Sequence, residues 1–578
     1  MKVVFAGRTS RGPNSLQSPL PIAGDVIELV WNDWDDFGYT TLFQTSCRIG
    51  GVPLQLGSIK ILIDGHKSAY GPLAQLRQNG WDGVFPAPGL EYISVPSEIE
   101  FYAQLISAIG RVNAEAVARS LHDASLLVNA SADPVAVRLA DSEGFGSSLT
   151  REQGASKAYQ DVWRLFGGET LEVRSTRFRF KDVLGATATL ELNFESDSPL
   201  PHDINVLIGP NGVGKSRVLH AIAKAWLHPR EVPQGLGFDG ATNFSQLIVV
   251  SYSPLENFPV DSYGAKLLDP EAYRYFGFLG RPATPDRPAE PDPFNLSTAP
   301  PAPPDTEFSS VAPRLNAAFS LVEALSDDQR YGGIIDWPGK LKTIYSVLRL
   351  GVDFDELAVA VNTEVTGPAP PPPQYRTRQV GNEMLLAIGE QDLIVYDPLQ
   401  VRSMIRPQLG VTFLKAGQPV GLSSGQKLFS YVVINVVGAI RRNSLLLIDE
   451  PELFLHPTLE IQFIDMLKDV LSSLASKALL ATHSEVTVRE TPRDCVHVLR
   501  RTPFGIDLHS PPFQTFAGDI QRISSYVFED RMATKPYEGW IRRQLATYGT
   551  ADALLAVLGE DVNEELVLRI RSIAAQPQ

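Results

Sequence analysis

Cysteine is nearly absent: the 578 residues contain only Cys47 and Cys495. They stand 448 positions apart with no CxxC spacing, which excludes a disulfide framework and a thiolate metal site and fits a reducing cytoplasmic setting. Long apolar runs are missing too. The longest, Tyr431 to Ile440, contains Asn435 and stops at Arg441 and Arg442, about half of the ~20 residues a bilayer requires, so no membrane partner is expected. The opening MKVVFAGRTSRGPNS lacks the apolar stretch of an export signal, and nothing marks the chain for secretion. Basic residues are the minority, 51 against 66 acidic, leaving a net charge of −15. That balance disfavours sequence-blind coating of nucleic acid, although a local basic groove for nucleic acid stays open. Sustained heptads are also lacking, so no long coiled-coil arm can form.

What is present is ordinary packed protein, 44% hydrophobic and 20% charged, long enough for three or four domains at roughly 150 residues each. Residues 1–170 read as an α+β unit, with strand-like DVIELVW, YTTLFQTS and SIKILID and helical spacing over 99–109 and 114–121. From 171 to 280, VRSTRFRFKD and LELNF alternate, and INVLIG is a continuous apolar run ending in glycine. Nine prolines between Arg281 and Pro304, and five more in GPAPPPPQ from Gly367, bound an insertion over 281–409. Inside it RLNAAFSLVEALS and IYSVLRLGVDFDELAVAV carry helical spacing, and MLLAIGEQDLIVYD a hairpin pattern. Residues 410–510 form a second motif-bearing lobe, and 511–578 a short helical tail.

Chemistry concentrates in four places. Gly209-Pro210-Asn211-Gly212-Val213-Gly214-Lys215-Ser216 matches G-x-x-x-x-G-K-[ST] between an apolar strand and the helical RVLHAIAKAWL. Glycines there let backbone N–H groups wrap a β-phosphate, Lys215 reaches the β and γ oxygens, and the Ser216 hydroxyl suits Mg²⁺. Ser444 to Pro451, SLLLIDEP, ends an apolar strand in two carboxylates: Asp449 for the metal and Glu450 as general base for water. A capped strand end would explain that pair equally well. LLATHS then places His483 at the end of another apolar strand, 33 residues after Glu450. Finally, Gly421-Leu422-Ser423-Ser424-Gly425-Gln426-Lys427 begins the helix LFSYVVINVVGAI, where Ser423 is also a plain helix cap.

The last segment resembles the ABC signature LSGGQ, with Ser424 at the first glycine, and all four elements stand in the order of that family. The resemblance implies an α/β P-loop NTPase fold: an ABC-type ATPase head with a helical insertion, joined to an N-terminal α+β domain and a short helical C-terminal tail. It also implies that ATP, with Mg²⁺ on Ser216 and Asp449, is held by residues 209–216 of one subunit and by Ser423, Ser424, Gly425 and Gln426 of another, in a homodimer or higher homo-oligomer. Lys215, Glu450 and His483 would be catalytic. Ser423 lies 208 residues after Lys215, longer than transporter spacing, and EPELFLHP is similar to the SMC, RecF and OLD group of soluble ATPases. Within that group the chain resembles stand-alone anti-phage defence ATPases of Septu type, which work beside a separately encoded effector, a nuclease or toxin. A RecF-like repair ATPase and a non-catalytic scaffold restraining an effector are the alternatives. Only 68 residues follow Ser510, too few for the nuclease domain of OLD proteins. No glutamine follows the strand LIVVS where that family has one; Ser253, Glu256 or Asn257 is expected in its place.

Arg174, Arg177, Arg179 and Lys181 alternate with Phe178 and Phe180, which reads either as a solvated strand face over a core face or as a contact for adenine or nucleic acid. Residues 1–170 carry no motif. They are expected to be a sensor or docking module, the alternative being that their strands complete the ATPase sheet.

Overall fold

The computed structural model describes residues 1–8, 24–33, 35, 38–168, 173–240, 242–253, 257–262, 270–281, 306–334, 337–362, 371–528 and 536–575. Nearly all of the proline-rich stretch after Arg281, the first half of GPAPPPPQ and Glu256 lie outside these residues. Residues 1–516 and 517–578 form two compact units.

The first unit begins with strands β1 (Lys2–Arg8), β2 (Val26–Trp31), β3 (Leu42–Ile49), β4 (Val52–Leu54), β5 (Ser58–Ile63) and β6 (Tyr92–Pro96). They build their own sheet, ordered β1-β2-β3-β5-β6 with β4 on β3, separate from the seven-stranded sheet of the following lobes. Helices α1 (Tyr70–Gln78), α2 (Glu100–Ile109), α3 (Arg111–Ser120), α4 (Pro134–Ala140) and α5 (Gln153–Gly167) accompany it. Ile27, Leu29, Ile59, Ile61, Leu105 and Val162 share its main core. The run SIKILI tolerates a lysine because Lys60, 1% exposed, meets Glu152 at 2.7 Å and the Ser148 carbonyl at 2.9 Å. A buried ammonium needs such partners.

Next come β7 (Thr176–Lys181), β8 (Thr187–Leu192), β9 (Ile204–Ile208), α6 (Lys215–Leu227), β10 (Gly237–Phe238), β11 (Gln246–Ser251) and β12 (Tyr273–Gly277), followed by the short pair β13 (Leu279–Gly280) and β14 (Glu307–Phe308). The insertion holds α7 (Ala312–Tyr331), α8 (Lys340–Gly351), β15 (Glu356–Val361), β16 (Thr377–Val380), β17 (Glu383–Ile388), α9 (Pro398–Met404), β18 (Val411–Lys415) and β19 (Gln418–Pro419). Two expectations change here. DFDELAVAV is not helical: ELAVAV is β15, the central strand of an antiparallel sheet ordered β16-β17-β15-β18-β19, because five successive buried residues serve both of its faces. MLLAI is a strand, but its hairpin partner is β16; the following EQD makes a 3₁₀ turn that leaves Ile394 97% exposed.

The chain then closes with α10 (Ser424–Ala439), β20 (Ser444–Asp449), α11 (Pro457–Ser473), β21 (Lys477–Thr482), α12 (Glu485–Arg489), β22 (Val496–Thr502) and β23 (Gly505–His509). The resulting seven-stranded sheet runs β12-β11-β20-β21-β9-β22-β23 and is parallel except for the β22–β23 hairpin. Its middle strands are buried on both faces, which is why they read as unbroken apolar runs. Helix α6 lies between this sheet and the antiparallel sheet β10-β7-β8: Val218, Leu219 and Ile222 share a core with Phe178, Phe180, Leu190, Leu447 and Leu479. Helix α10 packs against α7, α8 and α11. In the second unit α13 (Ile520–Val527), α14 (Pro536–Tyr548), α15 (Ala551–Leu558) and α16 (Glu564–Ala574) include a small core of Ile541, Leu554, Ile570 and Ile573. Among the described residues no helix is long and apolar enough to cross a membrane.

His497 on β22 supplies a built-in acid liability. It donates from Nε2 to Asn205 Oδ1 at 2.8 Å, and burial pushes its imidazole down to about 4. Because the folded value is depressed, stability is full above the ordinary histidine range near 6.5 and is lost as pH falls towards 4. The expected loss between about pH 7 and about pH 4.5 is about 2–3 kcal/mol from this group alone. Denaturant midpoints at the two pH values check this, since His497→Gln should lose correspondingly less than the parent chain.

Candidate functional site

Register puts the sequence-predicted groups on one edge. Ser251 lies opposite Asp449, Asp449 opposite Ala481 and Thr482 opposite Ile208, so β11, β20, β21 and β9 end together. The C-terminal edge of a parallel sheet is where such folds bind ligands. The loop from Gly209 to Gly214 leaves β9 there. A Cβ on Gly209 would sit 2.5 Å from the Leu499 carbonyl, and Gly212 and Gly214 hold φ of 72° and 113°, so the loop's shape depends on glycine at these places.

Lys215 and Ser216 open α6 directly below. Lys215 is 4% exposed; its Nζ donates to the Gly209 carbonyl at 3.1 Å and lies 2.6 Å from His483 Nε2. Burial holds the ammonium below the usual lysine range, against the opposing pull of Glu450, Asp449 and Glu452. Burial, reinforced by Lys215, pushes His483 down to about 4, so the ring is neutral at pH 7 and Nε2 is an acceptor. The 3.6 Å approach of His483 Nε2 to Glu450 Oε1 is therefore not an ion pair at that pH. Ser216 Oγ donates to Asp449 Oδ1 at 3.0 Å. A hydroxyl and a carboxylate brought together at a helix N-terminus are hard oxygen donors of the kind Mg²⁺ takes.

Glu450 sits one residue past β20 in the left-handed region, φ 48° and ψ 56°, an uncommon conformation for a side chain of its type. Its N–H donates to the Ala481 carbonyl at 2.8 Å, which fixes the turn while the side chain stays partly open beside His483. Sequence reasoning passed over Glu452, inside the EPELF string. This carboxylate accepts the His483 N–H at 2.5 Å and a bond from Thr482, and burial raises its pKa. Only the fold reveals that role, because the partners are about thirty residues apart.

Ser423 and Gln426 form a capping box at α10: Gln426 N–H donates to Ser423 Oγ at 3.2 Å, and Ser423 N–H to Gln426 Oε1 at 3.0 Å. Gln426 Nε2 also donates to the Gly351 carbonyl at the end of α8. Ser423 and Ser424 are exposed and Gly425 half-buried, so the helix N-terminus faces outward. The bonds of this cap run to α8 and α10, not to the loop at 209–216 of the same chain. After β11 comes Tyr252, buried, its hydroxyl 3.3 Å from Asn435 Nδ2 on α10. Ser253 is half-buried and Asn257 exposed. Phe178 and Phe180 are core, while Arg177 and Arg179 pair with Asp239 at 3.3 and 2.9 Å, as a solvated face would.

Residues 204–489 match the family model described as "AAA domain, putative AbiEii toxin, Type IV TA system". Protein ea59 of Escherichia phage lambda is 33% identical over 107 residues, 18% of this chain and 20% of that protein. The crystal structure of UvrA2 from Deinococcus radiodurans aligns at 12% identity with a TM-score of 0.22, covering 57% of this chain and 37% of that one. The chain thus spans a fifth of the phage protein and little over a third of UvrA2. So slight a superposition assigns neither fold nor activity. Strand order, the phosphate loop and the similarity of residues 204–489 to that AAA family together support a P-loop NTPase α/β fold for this part of the chain.

Proposed function

We propose that the chain binds and hydrolyses ATP, dimerises or assembles further through ATP-bridged heads, and uses that cycle to regulate a separately encoded effector in bacterial anti-phage defence. The observation that carries the reading is the division of the motifs. Phosphate loop, Asp449, Glu450 and His483 share one strand edge, whereas the Ser423 cap points outward with hydrogen bonds that lead elsewhere. An exposed helix N-terminus is a ready anion site, and a second copy's triphosphate is the anion of matching chemistry.

In this reading backbone N–H groups of residues 209–214 and Lys215 hold the β and γ phosphates. Ser216 and Asp449 would hold Mg²⁺, which when bound screens phosphate charge. Glu450 takes a proton from the attacking water, while neutral His483, whose backbone N–H is held by Glu452, sits beside the γ-phosphate position. The N-terminal sheet acts as the sensing or docking module and the setting is cytoplasmic. The matched family's description, an AAA domain and putative toxin of a toxin–antitoxin system, favours a defence setting over a repair role.

Sedimentation velocity tests the assembly. The parent chain should gain mass with ATP and Mg²⁺, whereas Ser423→Arg, which fills the outward cap with a bulky cation, should stay at its nucleotide-free mass while binding ATP with near-normal affinity. An equal gain in mass by the variant would contradict the proposal.

A further inference from the structure

A large aromatic side chain stands exposed at the rim of the phosphate loop. Phe504, at the tip between β22 and β23, is 91% exposed, on a tip that is otherwise firmly tied. Thr502 Oγ1 accepts from the Phe504 N–H at 3.2 Å and donates to the Gly505 carbonyl at 2.9 Å. Below it the Asp182 carboxylate, 1% exposed, accepts from the N–H groups of Leu184 at 2.8 Å, Ala186 at 2.9 Å and Ile506 at 2.7 Å. One buried anion therefore joins the β7–β8 turn to the β22–β23 hairpin. Gly505 completes the join: a Cβ there would lie 2.5 Å from Asp182 Oδ2 and 3.0 Å from the Ala186 Cβ.

The joined tips flank the loop itself. Ile506 Cδ1 would lie 3.3 Å, and Val183 Cγ1 3.9 Å, from a Cβ on Gly214, and the Leu499 carbonyl crowds Gly209. Phe504 precedes Ile506 by two residues, in the turn that joins β22 to β23, so their Cα atoms lie within about 7 Å of each other. Leu184, 56% exposed, stands on the facing turn. Burial of Phe504 would remove a large apolar surface from water, and a flat ring at this distance from a phosphate cradle suits a flat heterocycle carried on the same ligand.

We propose that Phe504, with Leu184 beside it, is the nucleobase platform of the site, and that the Asp182 staple holds it in place. The assignment rests on the nucleotide-binding reading above and adds what that reading leaves open, namely how a nucleoside triphosphate is told from bare polyphosphate. Stacking at this position distinguishes base from no base, and purine from the smaller pyrimidine, through overlap area.

Calorimetry on the full chain with ATP and with inorganic tripolyphosphate, each with Mg²⁺, tests it. Phe504→Ala should weaken ATP about tenfold, equivalent to ~1.4 kcal/mol, and leave tripolyphosphate unchanged. Phe504→Trp should retain ATP affinity, and its added emission should be quenched by ATP and not by tripolyphosphate. Unchanged ATP affinity in Phe504→Ala, equal weakening of both ligands, or no base-dependent quenching in Phe504→Trp would overturn the platform. Failure of the parent chain to bind either ligand would instead overturn the nucleotide reading itself.

Discussion

Lys215→Ala is expected to weaken ATP binding by roughly 10²-fold or more, the loss of two charge-assisted contacts to phosphate. Lys215 is buried, its ammonium is held below its usual range by desolvation, and its partners are a carbonyl and a neutral imidazole. Lys215 is thus a buried cation beside the glycine-rich loop, and no other residue of 209–216 carries positive charge. Alanine removes the phosphate contact and relieves the desolvation together, so the variant should melt no lower than the parent. Calorimetric affinity read beside thermal unfolding separates the outcomes. Lost affinity with an unchanged melting temperature supports the assignment, and undiminished affinity rules out the loop.

Glu450→Gln should leave ATP and Mg²⁺ binding intact and slow hydrolysis by roughly 10²- to 10⁴-fold, the usual contribution of a positioned base. The amide keeps the size and the turn, whose N–H is tied to Ala481, but cannot take a proton from water. Glu452 lies close by, yet it is committed to the His483 N–H and to Thr482, and burial raises its pKa. It is a positioning residue in this arrangement. Phosphate release measured in a single turnover decides between them: a normal rate in Glu450→Gln would remove the base role from Glu450.

Much of the site is legible in the sequence because its chemistry is local. A phosphate loop needs its glycines, lysine and serine contiguous, and strands buried on both faces announce themselves as apolar runs such as INVLI and SLLLI. The Ser423 cap is equally local, a capping box closed within four residues. What escapes is whatever depends on distant pairing. Asp182 meets Ile506 across 324 positions, and Glu452 meets His483 across 31. ELAVAV defeats periodicity for a related reason: burial on both faces erases the alternation that would separate strand from helix. LIVYD misleads in the opposite sense: Ile394 and Val395 are exposed and only Tyr396 is buried, and the run forms no strand. In the N-terminal unit β2 and β5 read as strands from their own residues, whereas β1 and β6 do not, and that β1 pairs with β2 and β6 with β5 shows only in the assembled sheet.

In the proposed assembly each active site is shared, with the phosphate loop from one copy and the Ser423 cap from another. Mixing two inactive variants, Lys215→Ala and Ser423→Arg, measures this directly. A mixed dimer contains one site with an intact Lys215 and an intact Ser423, so ATP hydrolysis absent from either variant alone should return on mixing. If the mixture stays as inactive as its components while both remain folded, the shared site is contradicted.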